Sequence, residues 1–275
     1  MESAPLVQID IAKVIKTKNK QLYRWLPSPV IRYLKHIIHQ DEINDILQRS
    51  HLKYYDTEFA DFLVNDFQVS YQLHHAERIP QDGKLIVVSN HPLGGFDGIL
   101  LISILAKYRQ NIKFPVNDLL MHIPNFQNIF VPVNKTGKNH ISLAASFERI
   151  FSGDNTILYF PAGICSRKIK GQITDLEWKK TFVSKAKQFG HDILPVYFDG
   201  RNSNFFYNLA NIRKKLGIRS NIEMLYLADE FFRQRRSHFN ITVGNVIKNA
   251  RLFDRQNDFL TAQEIKKSVY ALSLQ

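Results

Sequence analysis

From about residue 66 onward the hydrophobic pattern keeps changing period, and that alternation limits the folds open to the chain. Runs too short and too β-branched for helices alternate with longer helical ones. Strands are predicted near Phe67–Leu73, Lys84–Ser89, Ile112–Val116, Asn128–Val133, Thr156–Phe160, Asp192–Phe198, Ile222–Leu227 and Phe239–Val246. Helices are predicted between them, near Gly98–Tyr108, Asn139–Phe151, Trp178–Phe189 and Ser203–Leu216, with a last one near Thr261–Leu272. Alternation of this kind implies an α/β domain: a mixed, largely parallel sheet flanked by helices. In such sheets sites form in loops beyond the carboxyl ends of strands. Asn90–Asp97, Asn134–Lys138, Pro161–Lys170 and Asp199–Asn202 hold those positions.

Residues 1–65 read as helical, which divides the chain into an N-terminal helical segment, 1–65, and an α/β domain, 66–275. Ser28-Pro29 reads as an N-cap followed by proline at the first helical position. Val30, Ile31, Leu34, Ile37 and Ile38 then line one face, and Arg32, Lys35, His36 and His39 the other. A second helix starts at Asp41, and Phe59, Phe62 and Leu63 give a third stripe. The first helix is basic as well as amphipathic, and Lys13, Lys16, Lys18, Lys20, Arg24 and Trp25 precede it. This suits either an interfacial helix on anionic lipid or a packing helix with a solvated basic face. His36-Ile-Ile-His39-Gln-Asp-Glu42 lacks the HExxH pattern and a nearby third ligand, so no metal is expected there.

The net charge of +12, with a pI near 9.6, implies an acidic partner: nucleic acid, an anionic membrane surface or an acidic protein. The single cysteine, Cys165, excludes a disulfide within the chain and fits a reducing compartment. The longest apolar run, Ile99 to Ala106, is interrupted by Ser103 and is far too short to span a bilayer. The charged N-terminus lacks the apolar core of a signal peptide. A membrane would therefore be met only at its surface.

The chemistry concentrates in Lys84-Leu-Ile-Val-Val-Ser-Asn-His-Pro-Leu-Gly-Gly-Phe-Asp-Gly98. A buried strand delivers His91 to a loop, and Pro92 pushes it out of the α region. A histidine held there, with Asp97 a few residues on, has the makings of a general base with its orienting acid. By itself the same stretch also reads as a plain strand-to-helix turn with Asp97 as N-cap. Other chemistries lack their motifs. Thr136-Gly137-Lys138 is not a P-loop, and neither a GxSxG elbow nor a GxGxxG turn is present. The basic residues are scattered without an RNP-type aromatic signature, which speaks against nucleic acid.

Four segments together carry a resemblance. Asn90-His91-Pro92-Leu93-Gly94-Gly95-Phe96-Asp97 resembles the Asn-His…Asp block of the lysophospholipid/glycerolipid acyltransferase superfamily. Phe130-Val-Pro-Val-Asn-Lys135 is similar to its second block, and Phe160-Pro-Ala-Gly-Ile-Cys-Ser-Arg167 to its third, a Phe-Pro-Glu-Gly-Thr-Arg-Ser run. Leu194-Pro-Val-Tyr-Phe198 is similar to the fourth, and order and separation also fit over roughly residues 65–250. Two departures stand out. Five residues separate His91 from Asp97, one more than is usual in the family, and Gly94-Gly95 can absorb the extra one. Ala162 replaces the family's glutamate, and Cys165 stands where it has the arginine linked to the acceptor's phosphate. Arg167 or Lys168 would have to substitute, or the acceptor head group is not a simple glycerol phosphate.

The resemblance implies a fatty acyl transfer from a thioester, acyl carrier protein or coenzyme A, to a hydroxyl of a membrane lyso-lipid in bacterial lipid biosynthesis. It is nearest to bacterial hemolysin-like branches and to enzymes of amino-acid-containing lipids. His91 would be the base and Asp97 its partner, with no bound cofactor and no acyl-enzyme; Cys165 reads as a small buried residue. Asn90, Gly94, Gly95, Lys135, Arg167, Lys168 and Arg201 would line the substrate site, with N–H groups around Gly94-Gly95 facing the oxyanion. The cations would take an anionic head group or the phosphopantetheine phosphate. The implied place is peripheral, on the inner face of the cytoplasmic membrane. A lysophosphatidic acid acyltransferase making phosphatidic acid, and a non-catalytic lipid- or nucleic-acid-binding protein, remain as alternatives.

Overall fold

A computed structural model describes residues 8–117, 120–133, 147–254 and 257–274. Its axis is β2 (Leu85–Ser89), in which every residue is buried. The run is apolar on both faces because layers cover both faces of the sheet. Leu85 and Val87 join one core, and Ile86 and Val88 the other.

The other strands are β1 (Ser70–His74), β3 (Ile112–Val116), β4 (Phe130–Pro132), β5 (Thr156–Tyr159), β6 (Arg167–Ile169), β7 (Gln172–Thr174), β8 (Asp192–Asp199) and β9 (His238–Val243). Six of them join β2 in one seven-stranded sheet, in the order β1-β9-β8-β2-β5-β3-β4. Val87 pairs with Leu158 of β5 and Leu194 of β8, both parallel. Every neighbouring pair is parallel except β8 with β9. This is the mixed, largely parallel sheet expected. Its one antiparallel step brings the start of β9 beside the carboxyl end of β8.

Helices α5 (Asp56–Asp66) and α6 (Phe96–Leu105) cover one face. All ten residues of α6 are buried, since it lies between the sheet and α5, and it has no polar side. Its Ser103 hydroxyl donates to Asp61 of α5. The other face carries α7 (147–152 of it described), α8 (Thr181–Phe189) and α12 (Asp258–Ala271), which pack Phe151, Phe182 and Val269 against Ile86 and Ile157. The rest of the predicted helix over Asn139–Phe151 lies outside the described residues.

Four helices precede α5: α1 (Ile11–Lys18), α2 (Lys20–Trp25), α3 (Ser28–Ile37) and α4 (Gln40–Ser50). Helix α3 starts at Ser28 itself, so Pro27 holds the cap position and no side chain caps it. The extended backbone of Pro27 already fixes the entry to the helix, which displaces the predicted cap by one residue. Ile46 of α4 and Phe59 and Leu63 of α5 are part of the main core. His39 stacks on Phe232 at 4.4 Å and reaches Asp229 at 3.1 Å, which fastens the N-terminal helices to α10 (Leu227–Phe232). With Glu42 on its other nitrogen, His39 is fully engaged within the protein.

Two stretches differ from expectation. Ile222–Tyr226, predicted as a strand, is a 3₁₀ turn leading into α10. Met224 and Leu227, three residues apart, both pack on Cys165, Phe206 and Tyr207, which is helical spacing. Leu225 between them is exposed, while Glu223, just before them, is buried against two arginines. Second, β6 and β7 form a hairpin where only a loop was expected. Its turn is Lys170-Gly171, both left-handed, as a two-residue hairpin turn requires. Beyond β8 comes α9 (Asn204–Lys215), capped by Ser203. A short α11 (Ala250–Phe253) precedes α12.

Candidate active site

The strand β2 ends at Ser89, but Asn90 prolongs its link to β8. The Asn90 amide donates to the Phe198 carbonyl at 2.9 Å and accepts from the Phe198 N–H at 2.8 Å. Asn90 is 3% exposed, so both ends of its amide serve the sheet and are not available to a ligand. The chain then enters the loop with His91 held on both sides. Its N–H donates to Asp175 Oδ1 at 3.2 Å, and its carbonyl accepts from the Ser166 N–H at 2.8 Å. The imidazole stacks on Phe160 with ring centres 4.1 Å apart.

His91 Nδ1 lies 2.9 Å from Asp97 Oδ2. Asp97 is wholly buried in the first turn of α6. Oδ2 also accepts from the Leu93 N–H, and Oδ1 from those of Gly95 and Gly98, at 2.9–3.1 Å. Asp97 thus takes up N–H groups at the helix start and orients the histidine at once, so the turn reading and the acid–base reading describe one arrangement. The extra residue between them is absorbed at Gly94, whose φ of +77° is left-handed. A Cβ there would lie 2.9 Å from Leu227 Cδ2 and 3.0 Å from Cys165 Cβ, so space as well as conformation demands glycine.

Electrostatics follow from this packing. Burial alone disfavours the imidazolium, but the charge and hydrogen bond of Asp97, with Asp175 beyond, outweigh it and hold His91 above the ordinary histidine range. Burial likewise pushes the Asp97 carboxyl up. His91 and the N–H groups of Leu93 and Gly98 overcome that and hold it below the usual carboxylate range. Asp97 is therefore an anion that accepts the Nδ1 proton. Nε2 makes no hydrogen bond to any described residue and is the atom left to take a proton.

The other predicted residues fall into different environments. The Gly95 N–H is engaged by Asp97 and does not face an oxyanion. Arg167 is buried: it donates to the Cys165 carbonyl at 2.9 Å and to Glu223 Oε1 at 3.1 Å, and lies over the Phe206 ring. Glu223, fully buried, also meets Arg213 Nε at 2.8 Å. Arg167 is thus tied into the interior, not presented to a head group. Lys168 is half-buried on β6, and Arg201 is exposed, donating to Asn204 at 2.6 Å. Lys135 lies outside the described residues. Burial pushes the Cys165 thiol up to about 11, which makes it a poor nucleophile near neutrality. A cavity of about 460 Å³ adjoins the loop and is lined by Asn90, Pro92, Ser166, Tyr197, Arg201 and Tyr270. It contains both chain neighbours of His91 but not His91 itself.

Sequence reading missed Asp175. This buried carboxylate accepts from His91 N–H, from the Ser166 hydroxyl at 2.5 Å and from Trp178 Nε1 at 2.9 Å. Its own N–H donates to the Tyr270 hydroxyl at 2.7 Å. It ties the histidine loop, the third block and α12 together. The available signal was an acid just after the β6–β7 hairpin and three residues before a fully buried tryptophan.

An oriented imidazole whose second nitrogen bonds to no described residue, with no activated side-chain nucleophile beside it among the described residues, is equipped to deprotonate a hydroxyl that attacks an activated carbonyl. Residues 13–273 match a family model described as Acyltransferase. The chain is 44% identical over 265 residues to a lyso-glycine lipid O-acyltransferase of Phocaeicola vulgatus, covering 96% of this chain and 95% of that one. It is 42% identical over 273 residues to a lyso-glycine lipid O-acyltransferase of Bacteroides thetaiotaomicron, covering 99% and 100%. Among solved structures it is similar to the crystal structure of the 1-acyl-sn-glycerophosphate (LPA) acyltransferase PlsC from Thermotoga maritima, at 16% identity and a TM-score of 0.49, covering 96% of this chain and 99% of that one. With a family model along nearly its whole length and full-length relatives above 40% identity, the chain belongs to the acyltransferase family, as an O-acyltransferase of the lysophospholipid/glycerolipid superfamily.

Proposed function

We propose that the enzyme moves a fatty acyl group from a thioester, acyl carrier protein or coenzyme A, onto the hydroxyl of a lyso-lipid whose head group is an amino acid, glycine first among candidates. The observation that carries the reaction is the 2.9 Å His91–Asp97 contact, with Nε2 bonded to no described residue. Nε2 takes the hydroxyl proton as the oxygen attacks the thioester carbon. The tetrahedral intermediate expels the thiolate, which recovers the proton from His91, leaving an ester and a free thiol. Asp97 holds the tautomer and stabilises the imidazolium while it exists.

The acceptor class rests on two supports. Both curated relatives carry a lyso-glycine lipid name. In addition, Cys165 replaces the arginine of the third block, and the nearest substitute, Arg167, is tied to Glu223. That arrangement disfavours the lysophosphatidic acid reading. In this proposal the enzyme works peripherally on the inner face of the bacterial cytoplasmic membrane, its basic N-terminal helices lying on the lipid. No helix among the described residues is long and apolar enough to cross a membrane.

The test is thiol release from acyl carrier protein and coenzyme A thioesters with a panel of lyso-lipids, including lyso-glycine lipid and lysophosphatidic acid. Acceptor-dependent release with the glycine lipid is expected, and a fall of about 10²–10⁴-fold in His91→Ala with circular dichroism unchanged. Near-normal turnover in that variant would remove His91 from the mechanism; a preference for lysophosphatidic acid would overturn the acceptor.

A further inference from the structure

Helix α9 has two faces. Phe206 and Tyr207 turn inward and pack on Cys165, which in turn lies against Gly94 of the catalytic loop. On the opposite side Phe205, Ile212 and Leu216, spaced by seven and four residues, form a single line, and each is more than half exposed. Ile218 and Leu225 extend the exposed apolar surface past the end of the helix. A solvated helix has no reason to keep such a stripe uncovered.

This surface is joined to the N-terminal helices. Phe205 meets the Tyr226 ring edge-on at 4.9 Å, and the Tyr226 hydroxyl lies 2.7 Å from that of Tyr33 on α3. Tyr33 is half exposed, and Trp25, at the end of α2, is 86% exposed. Charge singles out the same two segments. Residues 11–39 hold seven Lys or Arg and no Asp or Glu, and residues 200–222 hold five and again none. Of the second set, only Arg213 has a carboxylate of a described residue within ion-pair distance, the buried Glu223.

We propose that the outer face of α9, together with Tyr226 and α3, is a docking surface for an anionic lipid bilayer. The apolar line sinks among the acyl chains, while Lys214, Lys215 and Arg219 meet the phosphates. The surface extends the membrane contact beyond the N-terminal helices to the helix that backs the catalytic loop. The function assigned to it, delivering a lyso-lipid directly from the bilayer, rests on the acceptor reading given above. An acidic carrier protein would match the charge but leave the aliphatic line without a partner.

The experiment is flotation of the full-length protein with phosphatidylcholine vesicles and with equimolar phosphatidylcholine–phosphatidylglycerol vesicles. It compares wild type, the pair Ile212→Ser/Leu216→Ser and the pair Lys214→Glu/Lys215→Glu. Wild type is expected to bind the anionic vesicles preferentially, and each pair to lower the partition coefficient at least about tenfold. Turnover with a lyso-lipid presented as monomer below its critical micelle concentration is expected to stay at the wild-type level in both pairs. Wild-type partitioning in both variants overturns the surface. So does light scattering that finds a wild-type dimer split by the serine pair, or lost affinity for acyl carrier protein with vesicle binding intact. Absence of turnover in all proteins, with flotation behaving as expected, would instead strike the acceptor reading and leave the docking surface standing.

Discussion

Replacing Asp97 by asparagine keeps its shape but allows an amide N–H to face His91. The imidazole would then carry its proton on Nε2, where the reaction needs a lone pair. Two effects should appear together in Asp97→Asn. Plateau kcat/KM is expected to fall about 10²–10⁴-fold. The acid limb of the pH–rate profile should also move. In the wild type His91 is held above the ordinary histidine value of about 6.5, so activity is lost as pH falls through a point above that value. Without the Asp97 carboxylate, only the more distant Asp175 opposes burial, and the limb shifts to lower pH. A limb that stays in place would mean that another group sets it. At this scale the sequence was legible for His91 and Asp97, because a strand end, a proline and a helix start fix where they sit. It was not legible for Asn90 and Arg167. Both belong to residue types that bind ligands, and their engagement depends on Phe198 and Glu223, more than fifty residues away in the chain.

Elements meet through two buried carboxylates. Glu223 holds Arg167 of β6 and Arg213 of α9, and its removal leaves two guanidinium groups with their partner gone. Glu223→Ala is expected to destabilise the fold by about 3–5 kcal/mol, read from denaturant or thermal melting. A replacement of similar volume such as Glu223→Met should be little better, since the uncompensated charges remain. Asp175 accepts three hydrogen bonds from three segments, so Asp175→Ala should lower stability by about 2–4 kcal/mol. It should also lower kcat more than it raises KM, because the His91 main chain loses its anchor; equal turnover at equal stability would reduce Asp175 to a packing residue. Element boundaries were readable where hydrophobic period decided them, as in β2, β3 and α9. The stretch at Ile222–Tyr226 misled because a buried acid among apolar residues imitates strand alternation, and only the two arginines opposite explain its turn. The β6–β7 hairpin was hidden because its strands are three residues each and partly polar.

Across the whole molecule, the alternation of periods was sufficient to read a mixed, largely parallel sheet with layers on both faces. The antiparallel β8–β9 step was not readable, since nothing local to either strand fixes its direction relative to a partner. The division at residue 65 followed a change of period, whereas the core runs through it: Ile46, Phe59 and Leu63 pack with Leu85 and Leu100. The charge of +12 pointed to an acidic partner, and the folded molecule gives that charge two acid-free segments joined at Tyr33 and Tyr226. Salt is therefore expected to weaken vesicle binding steeply while leaving turnover of a monomeric acceptor nearly unchanged.

Asp97 stands in the first turn of a helix with no solvated side, wedged between the central sheet and α5. Its position has a consequence for how the enzyme fails. Catalytic groups carried on mobile lids are lost early, through small openings well below the global transition. Here the acid cannot leave the base without withdrawing α6 from between two layers, and that is the unfolding of the protein itself. Titrated with urea, activity should persist to the foot of the cooperative transition and vanish with it. The amide protons of α6 should exchange only as slowly as global unfolding allows. An earlier loss of activity, with α6 still protected, would place the weak point in the glycine loop instead of in the helix.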